Sequence, residues 1–249
     1  MFDKITQNYT SDFYERQRNG SLRSALSVLP VVFDLFKPNS IVDFGCGVGT
    51  WLAAAKEFGV EHCLGLEGPW VQSQTLALAG LEIQETNLEN SVLLGRRFDL
   101  AMSLEVAEHL MPKRADSFVD DLCQASSVVL FGAAAPGDDG DGHQNEQWIS
   151  YWAEKFVRRG YMPLDLVRPV IRNRNQIDYW YRTNIVLYAE PKQAEFILKN
   201  SNIENFRNLD LPRQIEIIGL KEARKHFMLG TRSLYYWTSR RLMERLKLR

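Results

Sequence analysis

A glycine-rich turn between an apolar strand and an amphipathic helix constrains the fold of this chain more than any other feature. Residues 41–44 form a short apolar stretch that runs directly into glycines at positions 45, 47 and 49, and a helical pattern follows over residues 51–58. This order lets the backbone of an α/β fold approach a nucleotide-like ligand closely. A dinucleotide fingerprint would need a glycine at position 50, which is Thr50, so the pattern here is G-x-G-x-G.

The other apolar runs alternate with helical patterns along most of the chain. They predict six more strands, at residues 62–66, 81–83, 98–103, 127–131, 164–167 and 180–188. Two of the predicted helices have a polar residue as N-cap, Ser21 for residues 21–36 and Asn145 for residues 146–159. Alternating strands and helices indicate βαβ crossovers, so we predict an α/β fold, with a mostly parallel seven-stranded sheet covered by helices on both faces.

A shift in composition near residue 190 divides the chain. We expect residues 1–20 to be an arm or lid, residues 21–190 to be the α/β domain, and residues 191–249 to be a helical, basic extension. Residues 221–249 carry a net charge of +7 from nine basic and two acidic residues. This tail could lie on an acidic membrane surface, or it could pack on its own domain or form a dimer contact. We favour the second interpretation.

Composition argues against several classes of protein. The net charge of −1 gives no overall basic field for nucleic acid. Three cysteines without a short-spaced pair argue against a disulfide framework and fit a reducing cytoplasm. The N-terminus has no apolar signal region, and no apolar run approaches the roughly 20 residues of a membrane span. We therefore expect a cytoplasmic protein, with peripheral contact at the inner membrane face as the alternative.

Polar residues collect where the predicted strands end. In open α/β sheets ligands bind at the carboxyl ends of the strands. This edge carries the glycine turn and the residues that follow the next strands, namely Glu67, Asn87, Leu88, Ser103 and Glu105.

A cluster of two acids and a histidine follows the fourth predicted strand. Glu105, Glu108 and His109 have the spacing i, i+3 and i+4, which places them on one face of a helical turn. Two carboxylates and an imidazole on one face can hold a divalent ion. His143 follows the fifth strand at the same edge of the sheet. Alternatively, His109 or His143 is a metal-free general base, or Glu108 and His109 have only structural roles.

The glycine turn and the acid before it resemble motif I of the class I methyltransferases that use S-adenosylmethionine (SAM). The other segments that carry the resemblance are 104–110 (LEVAEHL), 143–152 (HQNEQWISYW) and 180–184 (WYRTN). They look like a subfamily of stand-alone bacterial enzymes, several of them in surface-polysaccharide or sugar-modification settings. The resemblance covers roughly residues 10–190 and implies a Rossmann-like fold that binds SAM.

The resemblance also implies roles for residues of the cofactor pocket. Asp43 lies near the methionine amino group, and the turn at Gly45, Gly47 and Gly49 passes beside the cofactor. Glu67 accepts hydrogen bonds from the ribose diol, or else it is an ordinary surface acid. Asn87 contacts the adenine amino group, or else it belongs to an ordinary turn.

The acidic and histidine cluster resembles the metal-holding turn of some O-methyltransferases. The similar enzymes act in quinone pathways or on the 2′-hydroxyl of small RNAs, and they supply a further histidine from after the next strand. In this chain that residue would be His143, so the resemblance implies that Glu105, Glu108, His109 and His143 hold a divalent ion such as Mg²⁺ or Mn²⁺.

Three hypotheses for function follow. The leading one is O-methylation of a sugar, nucleotide-linked or part of a glycan, in surface polysaccharide biosynthesis. The second changes the acceptor to a small-RNA end or an aromatic diol, and the third is a SAM-binding partner protein with weak catalysis. Aromatic residues at 148, 151, 152 and 179–181 either pack onto the sheet or form a stacking wall for the acceptor.

Overall fold

The computed structural model describes residues 11–69, 81–138 and 140–201. Seven strands form one sheet in the order β3-β2-β1-β4-β5-β7-β6. All pairs from β3 to β5 are parallel, and β7 is antiparallel to both of its neighbours. The prediction of a mostly parallel, seven-stranded α/β sheet is confirmed. The strands are β1 (Ser40–Phe44), β2 (His62–Glu67), β3 (Glu82–Glu85), β4 (Leu100–Leu104), β5 (Val128–Gly132), β6 (Met162–Leu164) and β7 (Val186–Ala189).

Helices cover both faces of the sheet. They are α1 (Ser11–Leu35), α2 (Thr50–Glu57), α3 (Ala115–Ala125), α4 (Ile149–Arg158), α5 (Arg168–Ile171), α6 (Tyr179–Asn184) and α7 (Pro191–Asn200), with a 3₁₀ turn at Pro112–Arg114. Successive residues of a strand point to opposite faces. Accordingly, Ile41 packs in the apolar layer under α1 and α2, whereas Val42 packs in the layer under α3 and α4. The central strands β4 and β5 are buried along their whole length, as expected for a sheet with helices on both faces.

The first helix is longer than predicted. It runs from Ser11 to Leu35 and crosses the expected boundary at residue 20, so Ser21 is inside the helix and is not its N-cap. The Ser21 hydroxyl instead forms a hydrogen bond of 2.7 Å with the hydroxyl of Thr50 at the start of α2. A Cβ atom at Gly20 would lie 2.5 Å from Asp178 Oδ2, so this glycine permits close packing and does not mark a helix end.

Two other segments also differ from the prediction. The predicted strand at residues 180–188 is helix α6 followed by the shorter strand β7, although its β-branched and aromatic residues favour a strand. Helix α4 starts at Ile149, and Asn145 is not its N-cap. The backbone N–H groups of Gln144 and Asn145 donate to the carbonyl oxygen of Glu108, which holds residues 144–145 outside the helix. The predicted strand at 164–167 is observed earlier, as β6, and the other strand bounds shift by one or two residues.

The predictions for the two chain ends concern residues that lie largely outside the described ranges. Residues 1–10 of the expected arm and residues 202–249 of the expected basic extension lie outside the described residues. Within the ranges that are described, no helix combines the length and the apolar character that crossing a membrane requires.

Candidate active site

The turn after β1 has three glycines in left-handed conformations. Their φ angles are 82° at Gly45, 54° at Gly47 and 80° at Gly49, a region that residues with a Cβ rarely adopt. A Cβ atom at Gly45 would lie 2.4 Å from Val106 Cγ2, whereas a Cβ atom at Gly47 would meet no atom of the described residues within 4 Å. Gly45 therefore packs tightly against the turn after β4, and Gly47 borders open space that a ligand can approach.

Two buried carboxyl groups, Glu67 and Asp43, belong to the strands beside this turn. Glu67, the last residue of β2, accepts hydrogen bonds from the backbone N–H of Gly47 at 2.7 Å and of Gly68 at 2.8 Å. Asp43 is buried one residue before the end of β1, and burial together with the Glu67 charge raises its pKa to about 8. Glu67 thus holds the backbone of the turn in place, and its ribose contact stays a prediction.

The raised pKa of Asp43 predicts that stability depends on pH in the ligand-free protein. The folded state binds this proton more tightly than the unfolded chain, where the pKa is near the ordinary 3.8. The stabilising contribution is complete below about pH 4 and is lost as the pH rises through about 8. We expect Tm to fall over this range in the wild-type protein and to fall less in Asp43→Asn, measured by thermal unfolding from pH 5 to 9. Equal slopes in both proteins would contradict the assignment.

The other expected cofactor residues lie at the same edge of the sheet. The Asn87 side-chain carbonyl accepts a hydrogen bond of 3.0 Å from the backbone N–H of Glu89, so it takes part in a local turn. Leu88 packs in the apolar layer on the α3 side. Ser103 in β4 is fully buried, and its hydroxyl has no hydrogen-bond partner among the described residues. None of these contacts tests the predicted roles of the three residues toward a cofactor.

The segment after β4 does not form the predicted helical turn. Residues 107–109 form a single hydrogen-bonded turn, in which the His109 N–H donates to the Val106 carbonyl oxygen at 3.0 Å, and Glu105 has a left-handed φ of 60°. The structure nevertheless brings Glu108, His109 and His143 together, with one ligand atom of each lying within 4.8 Å of the others. Glu105 is outside this group. Burial raises the pKa of Tyr181 in α6 to about 12, and the nearby charge of Glu105 adds to this rise.

Backbone hydrogen bonds connect the two loops that carry this three-residue cluster. The N–H groups of Gln144 and Asn145 donate to the Glu108 carbonyl oxygen at 2.8 and 2.9 Å. The Gln144 side-chain amide also donates to the carbonyl oxygen of His109 at 2.8 Å. As a result the two imidazole rings lie edge to face, with their centroids 4.8 Å apart.

Burial controls the charge of the cluster. The Glu108 side chain is fully buried, and neither of its oxygens has a hydrogen bond of normal geometry to a described residue. Burial raises its pKa, although the nearby backbone amides of Glu108 and Ala134 oppose the rise. Burial and the neighbouring His143 lower the pKa of His109 to about 4, so this imidazole is neutral at physiological pH.

The observed donors are one carboxylate and two imidazoles, whereas the predicted set also contained the Glu105 carboxylate. With one carboxylate fewer, the cluster fits a divalent transition metal better than the predicted set. Two imidazole nitrogens and one carboxylate suit divalent ions that accept mixed nitrogen and oxygen ligands, such as Mn²⁺, Fe²⁺ or Zn²⁺, whereas Mg²⁺ prefers oxygen ligands alone. A buried carboxylate that lacks hydrogen bonds of normal geometry is costly unless it takes up a proton or meets a charged or polar ligand. The residues therefore fit a metal ion, and the same geometry also fits a neutral histidine that accepts a proton.

Sequence reasoning missed residues that build the site through side-chain contacts. Glu146 forms a hydrogen bond with His143, with 2.8 Å between Oε1 and Nδ1. Asn184 of α6 donates to Asp138 Oδ2 at 3.0 Å, and the backbone N–H of Ala135 donates to the same oxygen. The contact between His143 and Glu146 could have been predicted from their spacing of three residues. The pairing of Asn184 with Asp138 has no local signal.

The aromatic residues fall into two groups. Trp148 and Trp152 are buried, and Trp152 packs against Phe131 with ring centroids 5.1 Å apart, so packing is the correct interpretation for these two. Tyr179 and Trp180 in α6 are exposed by 40% and 43%. Tyr179 and Trp180 are therefore the aromatic residues that remain candidates for stacking on an acceptor.

Comparison with known proteins agrees with this architecture. A family model described as a methyltransferase domain matches residues 14–161. No curated protein sequence matches the chain. The fold is similar to that of the sugar N-methyltransferase KedS8 from Streptoalloteichus sp ATCC 53650, with 15% identity over 73% of this chain and 93% of that one, and a TM-score of 0.54.

Two further solved structures have comparable similarity. An O-methyltransferase family protein from Burkholderia thailandensis is 13% identical with a TM-score of 0.53, and the match covers 76% of this chain and 62% of that one. The magnesium protoporphyrin IX methyltransferase from Synechocystis PCC 6803, solved with bound S-adenosylhomocysteine (SAH), is 16% identical with a TM-score of 0.52. That match covers 76% of this chain and 94% of the other. At these identities the similarity establishes the fold.

Proposed function

Because the chain belongs to the SAM-dependent methyltransferases, we propose that it transfers the methyl group of SAM to a sugar hydroxyl. The observation that carries this proposal is the convergence of Glu108, His109 and His143 at the edge of the sheet that holds the glycine turn. A nitrogen nucleophile that is already neutral can attack directly, whereas a hydroxyl must lose its proton as it attacks. A cluster of a carboxylate and two imidazoles serves the second case.

The glycine turn supports the binding of SAM. Open space beside Gly47 leaves room for the cofactor, while Gly45 fixes the turn against Val106. Bound SAM supplies an electrophilic methyl group on a sulfonium. Asp43 and Glu67 then hold the cofactor and the backbone of the turn, so that the acceptor hydroxyl can align in line with the methyl carbon and sulfur.

We further propose that the cluster holds a divalent transition-metal ion. Of the two ions predicted from the sequence, Mn²⁺ suits these donors better than Mg²⁺. Glu108, His109 and His143 would be the protein ligands. A metal ion at this position would lower the pKa of the acceptor hydroxyl and orient it. Two adjacent oxygens, as in a sugar diol, match this chemistry well.

The exposed face of α6 supports a sugar as the acceptor. Trp180 lies one helical turn before Asn184 and therefore on the same side of α6, and Asn184 bonds to Asp138 near the cluster. The Trp180 ring also contacts the buried Tyr181 ring, with centroids 6.0 Å apart. A half-exposed indole on this side of α6 offers an apolar face for the C–H groups of a sugar ring.

Replacing Trp180 by alanine should weaken acceptor binding. We expect KM for the sugar to rise about 2- to 12-fold, the range that corresponds to one aromatic contact, with little change in kcat. Steady-state kinetics with a saturating concentration of SAM measures this. Trp180→Phe should keep most of the affinity, and Phe196→Ala, which removes an exposed ring from α7, should have no effect. An unchanged KM in Trp180→Ala would contradict the stacking role.

The direct test of the proposal is a screen of acceptors. The purified protein is incubated with SAM, Mn²⁺ and a panel of nucleotide sugars and oligosaccharides, and SAH formation is measured for each. We expect an acceptor whose mass increases by one methyl group on oxygen, with activity lost in EDTA and restored by Mn²⁺. Methylation of a sugar amine only, or of RNA only, would contradict it.

A further inference from the structure

We infer that Glu146 is a positioning residue that fixes the His143 imidazole with its proton on Nδ1 and its lone pair on Nε2. This inference deepens the proposed function, because it assigns the nitrogen of His143 that faces the reaction. It applies equally whether that nitrogen binds a metal ion or accepts the proton of the acceptor hydroxyl.

The contact between the two side chains is short and sheltered. His143 Nδ1 lies 2.8 Å from Glu146 Oε1, and the two side chains are exposed by 14% and 23%. The other carboxylate oxygen, Oε2, accepts a hydrogen bond of 3.1 Å from the backbone N–H of Gly137. Both oxygens of Glu146 are therefore engaged, and the carboxylate cannot rotate away from the ring without losing a second bond.

The chemistry of the pair determines the tautomer. An ionised carboxylate has no proton to donate, so the hydrogen bond requires the proton on Nδ1. A neutral imidazole with its proton on Nδ1 has its lone pair on Nε2. A free histidine in water prefers the opposite tautomer, so Glu146 must supply the difference in energy.

The other edge of the His143 ring depends on a glycine. A Cβ atom at Gly140 would lie 2.3 Å from both Nε2 and Cε1 of His143. Any side chain at this position would therefore displace the ring or cover Nε2. Gly140 therefore lies beside Nε2, which carries the lone pair, and Glu146 lies beside Nδ1, which carries the proton.

The pairing agrees with what metal sites require. A histidine that binds a metal through one nitrogen normally donates its other N–H to a carboxylate or carbonyl, which fixes the ring and increases its basicity. Glu146 supplies this contact for His143. It does not itself lie among the three residues whose ligand atoms converge.

The test uses ligand-free protein and reads the tautomer directly. Long-range ¹H–¹⁵N NMR of the imidazole groups, with His143 assigned by its loss in His143→Gln, distinguishes protonated from unprotonated ring nitrogens. We expect the Nδ1–H tautomer in the wild-type protein and in Glu146→Gln, because the glutamine carbonyl can also accept the bond. Glu146→Ala should shift His143 toward the Nε2–H tautomer. Glu154→Ala, which removes an exposed acid from α4, should leave the spectrum unchanged.

A second measurement uses Mn²⁺ alone. Isothermal titration should show about 10- to 100-fold weaker binding in Glu146→Ala and close to wild-type binding in Glu146→Gln. The Nδ1–H tautomer persisting in a folded Glu146→Ala would overturn the inference. If the wild-type protein binds no Mn²⁺ but the tautomer changes as expected, the metal proposal fails while the role of Glu146 stands.

Discussion

Replacing His109 or His143 by alanine is expected to lower kcat by about 100- to 10,000-fold, the range for loss of a group that assists proton transfer. Both imidazoles lie in the cluster with the buried Glu108 carboxylate. The glycine turn is a separate part of the site, so the affinity for SAH should not change. Kinetics with the sugar acceptor and calorimetry with SAH measure the two effects separately.

The chain contains a matched control for these variants. His62 is exposed at the start of β2, and His62→Ala should keep wild-type kcat and SAH affinity. A loss of SAH affinity in His109→Ala equal to its loss of kcat would mean that the cluster belongs to the cofactor pocket. Wild-type turnover in the His109→Ala, His143→Ala double variant would remove the cluster from the reaction.

Replacing Gly47 by alanine is expected to reduce SAH affinity by about 10- to 100-fold without unfolding the protein. Among the residues that the structure describes, none has an atom within 4 Å of a Cβ placed there, so this Cβ would enter the space assigned to the cofactor. The left-handed φ of 54° adds about 1–2 kcal/mol of backbone strain for a residue with a Cβ. Overpacking against the ligand accounts for the loss of affinity. Calorimetry with SAH and thermal unfolding measure the two effects.

Gly59 provides the control for backbone strain. It also has a left-handed φ, of 91°, and its Cβ position has no atom of the described part of the chain within 4 Å, but it follows the far end of α2. Gly59→Ala should lower Tm by a similar amount and bind SAH as tightly as the wild-type protein. Equal SAH affinity in both variants would show that the cofactor does not pass beside Gly47.

The parts of the fold that were predicted correctly depend on local sequence. The segment from Ser40 to Glu57 combines an apolar strand, a turn that needs left-handed residues and a helix, and each has a short-range signal. Residues 180–184 were predicted wrongly as part of a strand, because their aromatic side chains favour a strand in isolation. In the structure, contacts of Tyr181 with the Trp51 ring and of Asn184 with Asp138 hold this segment as a helix.

The sequence predicted which residues form the candidate site but not how they contact one another. The sequence identified Glu108, His109 and His143, because chemically similar residues followed neighbouring strands. It also placed Glu105 with them, since the spacing assumed a helical turn that the left-handed φ of 60° at Glu105 prevents. The contact between Glu146 and His143 depends on how residues 137–146 fold back on themselves, which no periodic pattern encodes.

The most direct test of the account is diffraction at the manganese absorption edge from crystals grown with SAH and Mn²⁺. We predict SAH beside Gly47, and an anomalous peak bound by Glu108, His109 and the Nε2 atom of His143 on the side that the SAH sulfur faces. SAH bound away from the turn, or a sulfur that faces away from the three residues, would contradict the account.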